Sequence, residues 1–166
     1  MSHRGKVFVA VSGGVDSATT AALLCEQGYH CDGVFMITHD AGQAAQTDAE
    51  RVCATLGISL HVLDFRQEFQ VILDYFTSEY RRARTPNPCV LCNRLMKFGK
   101  LWQFAKDHGA DYIATGHYAR IETQGQFCGL FQAQDINKDQ SYVLSMVPRD
   151  VLKHILLPMS EWTKDQ

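Results

Sequence analysis

The sequence lacks the features that mark several large protein classes. No apolar run in its 166 residues approaches the roughly 20 needed to span a bilayer, so membrane partners are not expected. The opening Met1-Ser2-His3-Arg4-Gly5-Lys6 leads into a short apolar stretch broken by glycines, which lacks the shape of a secretion signal. There is no internal repeat and no low-complexity tract. No excess charge of either sign is present, since the formal net charge is −2. What is present is 46% hydrophobic and 20% charged residues, which supplies a packed core and excludes a disordered or collagen-like chain. The length suits one domain and is too short for two ordinary ones.

The near-zero charge is an average over two unlike regions. Between Tyr80 and Lys100 the charged residues are Arg81, Arg82, Arg84, Arg94, Lys97 and Lys100, with no acid among them. That segment carries +6, which leaves ten basic against 18 acidic residues elsewhere, a net −8. A basic run is commonly a solvated helix face. This one encloses a turn-rich stretch, Thr85-Pro-Asn-Pro-Cys-Val-Leu-Cys-Asn93, and a basic field around thiols favours a polyanionic partner and a lowered thiol pKa.

Strand-like and helix-like patterns alternate along the chain. Strands are predicted at Lys6–Val11, Cys31–Ile37, Leu60–Phe65 and Tyr112–Thr115. Helices are predicted at Ser17–Gln27, Thr47–Leu56, about Glu68–Arg82 and Arg94–His108, three of them followed by Gly28, Gly57 and Gly109. This order predicts an α/β fold, an open parallel sheet with helices on both faces. After Gly116 the pattern changes to a β-hairpin extension over about residues 117–133, with strands Tyr118–Glu122 and Phe127–Gln132. A polar loop at Asn137–Ser141 and a short helix follow. Ser160 to Gln166 reads as the cap and first turn of a helix.

The first strand runs into Ser12-Gly-Gly-Val-Asp-Ser17. Glycines there let backbone N–H groups approach an anion, and a helix N-terminus adds a favourable dipole. Ser12 and Ser17 can donate to phosphate oxygens, whereas Asp16 beside phosphate makes sense when Mg²⁺ bridges them. The pattern matches neither the Walker loop nor G-x-G-x-x-G. A tight strand-to-helix turn would also accommodate two glycines. The stretch resembles the SGGxDS pyrophosphate loop of ATP pyrophosphatases, which split ATP into AMP and pyrophosphate.

Six cysteines occur. Cys25, Cys31, Cys53 and Cys128 sit in apolar contexts that suit core packing, and their scatter fits a reducing cytoplasm better than a disulfide framework. Cys89 and Cys92 lie in what reads as an exposed, proline-bounded loop. A structural zinc site lacks a second ligand pair, and a thioredoxin-type pair would follow a strand directly. A nucleophilic thiol in a nucleotide-using site, or cysteines holding an iron–sulfur cluster completed from elsewhere, remain open.

Taken together, five segments resemble the tRNA-specific 2-thiouridylase (MnmA/TrmU) family. They are Ser12–Ser17, Gly33-Val-Phe-Met36, Thr85–Asn93 with Lys97-Phe98, Ala114-Thr-Gly-His-Tyr118, and Asn137-Lys-Asp-Gln-Ser-Tyr142. The resemblance implies a Rossmann-like, adenine nucleotide alpha-hydrolase-like domain across residues 1–166, with central and C-terminal β domains expected beyond it. It implies ATP with Mg²⁺ as cofactors, tRNA as substrate and a sulfur-donor protein as partner. In that reading ATP adenylates the 2-carbonyl of the wobble uridine, and sulfur then displaces AMP. Ala10, Val11, Ser12, Gly13, Gly14, Val15, Asp16, Ser17, Met36 and Gly116 match ATP-binding positions. Asn87, Pro88 and Cys89 match positions against the target base, and Cys92 the catalytic nucleophile. His117, Lys138, Asp139 and Gln140 match tRNA-contacting positions. One family branch has Asp in place of Cys89, and the C-x-x-C form is associated with iron–sulfur ligation. The 166 residues are expected to bind adenine nucleotide but not to complete thiolation alone. Another pyrophosphate-loop synthetase acting on a small molecule, or a non-catalytic nucleotide- or cluster-binding module, are the alternatives.

Overall fold

The computed structural model describes residues 4–164 and 166. The sequence Lys6-Val-Phe-Val-Ala10 forms β1, and its alternating side chains divide between two cores. Phe8 belongs to one hydrophobic cluster, Val7 and Val9 to another on the opposite face. Helix α1 (Val15–Glu26) leads to β2 (His30–Ile37), then α2 (Gln43–Leu56), β3 (Leu60–Asp64) and α3 (Arg66–Arg81). Helix α2 starts four residues before the expected Thr47, behind a single 3₁₀ turn at Asp40–Gly42, and ends at Gly57 in the left-handed region at φ 67°.

The next segment departs most from expectation. Cys89 and Cys92 do not stand in a loop. Helix α4 (Pro88–Cys92) begins at Pro88 because Asn87 caps it, its side-chain oxygen accepting from the Val90 N–H at 3.3 Å, while proline fits the first helical position. The helix then widens into a π segment, Asn93–Leu101, and returns to α geometry in α5 (Trp102–Asp107). The one helix expected from Arg94 is therefore longer and not uniformly α.

Strand β4 (Tyr112–Ala114) pairs with β1, and the hairpin strands β5 (Arg120–Gln124) and β6 (Phe127–Phe131) form a separate antiparallel pair, as anticipated. Helix α6 (Arg149–Leu152) precedes β7 (Ile155–Leu156), a strand too short to show periodicity, which completes the sheet edge. The five-stranded sheet has the order β3-β2-β1-β4-β7, all parallel. Helices α1 and α2 cover one face, the α4–π–α5 helix and α6 the other. Residues Pro158–Glu161 form a 3₁₀ turn and Trp162 is extended, so the helix start expected at Ser160–Gln166 does not form; Asp165 lies outside the described residues. Among the described residues no helix is long and apolar enough to cross a membrane.

Candidate nucleotide and thiol site

The strand order changes direction between β1 and β4, and the loops after these strands meet there, the usual position for a ligand in an open parallel sheet. After β1 the chain turns at Gly13 (φ 81°), where a Cβ would lie 2.7 Å from the Ala45 carbonyl oxygen. Ser17 is buried, its hydroxyl donating to the Gly14 carbonyl at 2.9 Å and accepting from the Ser12 N–H at 3.1 Å. These bonds hold the loop in shape at the N-terminus of α1. Thr20 adds a bond from its hydroxyl to the Asp16 carbonyl at 2.8 Å. After β4, Gly116 presses against the same helix start: a Cβ there would sit 2.9 Å from the Asp16 carbonyl carbon and 3.0 Å from the Ser17 nitrogen.

A cavity of about 310 Å³ lies between the two loops. Of the residues singled out in the sequence, Ala10, Val11, Ser12, Asp16, Ser17, Met36, Gly116, His117 and Gln140 line it. Gly13, Gly14, Val15, Asn87, Pro88, Cys89, Cys92, Lys138 and Asp139 do not. Val15 points away and is 74% exposed. Phe35, Thr115 and Lys97 complete the wall, and none of these three was expected as a site residue.

His117 is buried, with Nδ1 2.8 Å from the Thr115 hydroxyl. Burial, reinforced by the nearby Lys97 ammonium, pushes its pKa down to about 3, so the imidazole is neutral at physiological pH. Gln140 is fixed beside it, because its backbone N–H donates to the Tyr118 carbonyl and its side-chain oxygen accepts from the Tyr118 N–H. Asp139 faces its own loop. Its carboxylate accepts from the Ala133 N–H at 2.9 Å and from the Ser141 hydroxyl at 2.7 Å, which holds it below the usual carboxylate range despite an opposing burial effect. Asp139 therefore shapes this loop.

The thiols lie beside the cavity on α4. Cys89 is exposed and Cys92 half-buried, its sulfur 4.0 Å from the Met96 sulfur. The expected lowering of the Cys92 pKa is not found: burial raises it, and Lys97 offsets that only in part. The basic run is also less free than its sequence suggests. Arg84 pairs with Glu79 at 2.6 Å, Arg82 lies 3.8 Å from the same carboxylate, and Lys100 lies 3.6 Å from Glu68. Lys97 turns inward, where burial lowers its pKa against the opposing pull of the two thiols.

At the loop, Asp16 is the carboxylate that could hold Mg²⁺ against a bound phosphate. It accepts from the Tyr118 hydroxyl at 3.2 Å and pairs with the Lys164 ammonium. For an iron–sulfur cluster this chain offers Cys89 and Cys92 alone: among the described residues no group of three or more His, Cys, Asp or Glu side chains is arranged to hold a metal, so the remaining ligands would have to come from elsewhere, as the sequence suggests. Cys31 and Cys53 are buried, and Cys25 and Cys128 partly so, in keeping with packing roles.

The model of the tRNA methyl transferase HUP domain family matches residues 5–166. The chain belongs to this family. It is 49% identical over 180 residues to the tRNA-specific 2-thiouridylase MnmA of Carboxydothermus hydrogenoformans, an alignment that takes in 98% of this chain and 49% of that protein. The MnmA of Legionella pneumophila is 44% identical, with 98% of this chain and 48% of that protein covered. The chain thus spans about half the length of the curated relatives it matches. Among solved structures, a 4-thiouridine synthetase–RNA complex with bound ATP superposes with a TM-score of 0.61 at 18% identity, covering 97% of this chain and 38% of that one. A predicted subunit of tRNA methyltransferase from Methanocaldococcus jannaschii gives 0.57 at 14% identity, covering 97% and 71%. At these identities the superpositions show a shared fold.

Proposed function

We propose that this chain is the nucleotide-binding and thiol-bearing part of a tRNA 2-thiouridylase. The observation that carries the reading is the cavity in which the Ser12–Ser17 loop, Gly116-His117 and Lys97 converge, with the Lys97 charge acting on the Cys92 thiol. The loop offers backbone N–H groups and the end of the α1 dipole to the phosphates of ATP. Asp16 would hold Mg²⁺, which supplies charge neutralisation for the departing pyrophosphate. Met36 and Ala10 give an apolar wall for the base. Neutral His117 can donate or accept one hydrogen bond at the nucleotide or the uridine without adding charge.

In the proposed sequence the uridine 2-carbonyl oxygen attacks the α-phosphorus and pyrophosphate leaves. The Cys92 thiolate attacks the inner sulfur of a persulfide on a second cysteine of the complete protein, charged by a sulfur-donor protein. A disulfide forms and hydrosulfide is expelled. Hydrosulfide attacks C2, AMP departs with the original oxygen, and an external thiol later reduces the disulfide. Asn87, Pro88 and Cys89, at the start of α4, would contact the target base, and Lys138, which is exposed, would contact the tRNA. Six free cysteines suit a cytoplasmic location. The 166-residue unit acts as one nucleotide domain, to which further domains of the family attach.

The test has two parts. Calorimetry should show ATP binding by the chain, lost in Asp16→Ala with Gly13→Ala. Mass-spectrometric nucleoside analysis of tRNA, incubated with ATP, a sulfur source and the complete protein, should show 2-thiouridine, absent for Cys92→Ala while ATP binding persists. Thiolation retained in Cys92→Ala, or no ATP binding by the unaltered chain, would refute the reading.

A further inference from the structure

Lys97 reaches the cavity because of the π segment. In an α-helix, a residue five positions on lies about 140° around the axis from the first. In a π-turn the i→i+5 hydrogen bond brings that residue back over the first. The π segment begins directly after Cys92, and Lys97 is five positions on. An α continuation would therefore have carried Lys97 away from the side on which the thiol stands. Gly99 permits the wide turn, since a Cβ there would lie 2.8 Å from the Arg94 carbonyl oxygen, again five residues back.

The inward ammonium has few competitors. Among the described residues Lys97 makes no ion pair with a carboxylate, and the groups that act on its charge are the thiols of Cys92 and Cys89. The acidic group on the same cavity wall, Asp16, is already paired with Lys164. His117, facing Lys97 from the β4 side, is neutral. Lys97 is thus a half-buried cation between the Ser12–Ser17 loop and a thiol, without a fixed partner in either.

We propose that the π-turn makes Lys97 a shared cation, which binds a phosphate of the nucleotide at the Ser12–Ser17 loop and, when that site is empty, stabilises the Cys92 thiolate. The proposal rests on the nucleotide reading given above. A phosphate in the cavity draws the ammonium from Cys92 and adds negative charge nearby, so the thiol becomes a weaker nucleophile while nucleotide is bound, and recovers as phosphate leaves. By reciprocity a thiolate at Cys92 weakens nucleotide binding by the same factor. The device would keep sulfur transfer from running ahead of adenylation.

The experiment uses the 166-residue chain and measures two quantities for the unaltered protein, Lys97→Met, Lys97→Arg and Gly99→Ala. One is affinity for ATP and for adenosine. The other is the iodoacetamide rate at Cys92, resolved from Cys89 by fragment mass spectrometry, with and without saturating ATP. In the unaltered chain ATP should slow Cys92 alkylation several-fold. In Lys97→Met the rate without nucleotide should already be several-fold lower, and saturating ATP should slow it much less than in the unaltered chain, through its own negative charge alone. ATP affinity should fall at least tenfold in Lys97→Met with adenosine affinity unchanged, and Lys97→Arg should restore much of it. Gly99→Ala, its melting temperature measured in parallel, should reproduce Lys97→Met with the lysine still in place. ATP protection of Cys92 that persists undiminished in Lys97→Met would mean simple steric cover and overturn the proposal. Absence of ATP binding by the unaltered chain would instead sink the nucleotide reading itself.

Discussion

Gln140 and Tyr118 are joined twice: the Gln140 N–H donates to the Tyr118 carbonyl at 2.7 Å, and the Gln140 side-chain oxygen accepts from the Tyr118 N–H at 3.0 Å. The pair clamps the loop after the hairpin to the residue that follows His117, so a position that reads as solvated polar loop is a brace for the cavity wall. Gln140→Leu strands a donor next to the site and should cost about 1–3 kcal/mol in unfolding free energy. Gln140→Glu keeps the acceptor and should retain most of the stability, yet place a negative charge in the cavity and weaken ATP binding. Urea denaturation and calorimetry of the two variants separate these effects.

His117 makes stability depend on pH. Its folded pKa, about 3, lies below the ordinary 6.5, so the unfolded chain binds a proton that the folded chain refuses across that interval. Stability contributed by the neutral ring is fully present above pH 6.5 and is lost as pH falls toward 3. The loss should reach a few kcal/mol at the acid end, on the scale of 1.36 kcal/mol per pKa unit. His117→Gln should flatten the slope of unfolding free energy between pH 6 and 4, measured by chemical denaturation at each pH.

The two thiols on α4 should react in a fixed order. Cys89 is exposed, whereas burial holds Cys92 above the ordinary thiol range. With limiting iodoacetamide near pH 8, Cys89 should be alkylated first. The rate at Cys92 should keep rising with pH beyond the point where an ordinary thiol levels off. Equal labelling of the two at pH 8 would contradict the burial seen at Cys92.

Glu79 restrains the basic surface. With Arg82 and Arg84 both held by its carboxylate, fewer guanidinium groups are free to meet RNA phosphates than the +6 segment suggests. Six free contacts would give a log–log salt slope of about −4 to −5, and the paired state should give a shallower one. Glu79→Gln should raise tRNA affinity at low salt and steepen the slope by about 1–2. Filter binding across a salt series measures both.

Much of the architecture could be read from residue order, because the strands are β-branched apolar runs and Gly28, Gly57 and Gly109 end helices at positive φ. Met36, Gly116 and His117 stand out only through the family motifs that contain them; by residue type alone each reads as core, and the strand order then brings them to one cavity with Ser12, Asp16 and Ser17. The helix around the thiols was not legible. In sequence Pro88 and Asn87 suggest a loop, although that pairing also starts helices. Lys97 reads as one charge of the basic run around the thiols and not as a cavity residue, since a period of 3.6 hides a residue placed by a π-turn; the Cys92-to-Lys97 spacing together with Gly99 is the signal for it. The ion pairs of Glu79 and Glu68 lie outside the basic run, and no local reading reveals them. Strand β7 has two residues and no period at all.

The wall of the cavity also has a consequence for the order in which the chain is made. Asp16 and Tyr118, which touch across the site, are 102 positions apart. At roughly 5–20 residues per second of synthesis, the Ser12–Ser17 loop emerges on the order of 5–20 s before the segment that gives it a partner. During that time it can rely only on bonds among Ser12, Gly14 and Ser17, which span at most five positions and need nothing downstream. The loop can take its shape early, and the pocket closes only when β4 docks beside β1. A ribosome stalled before Gly116 would thus display a shaped Ser12–Ser17 loop with no cavity behind it.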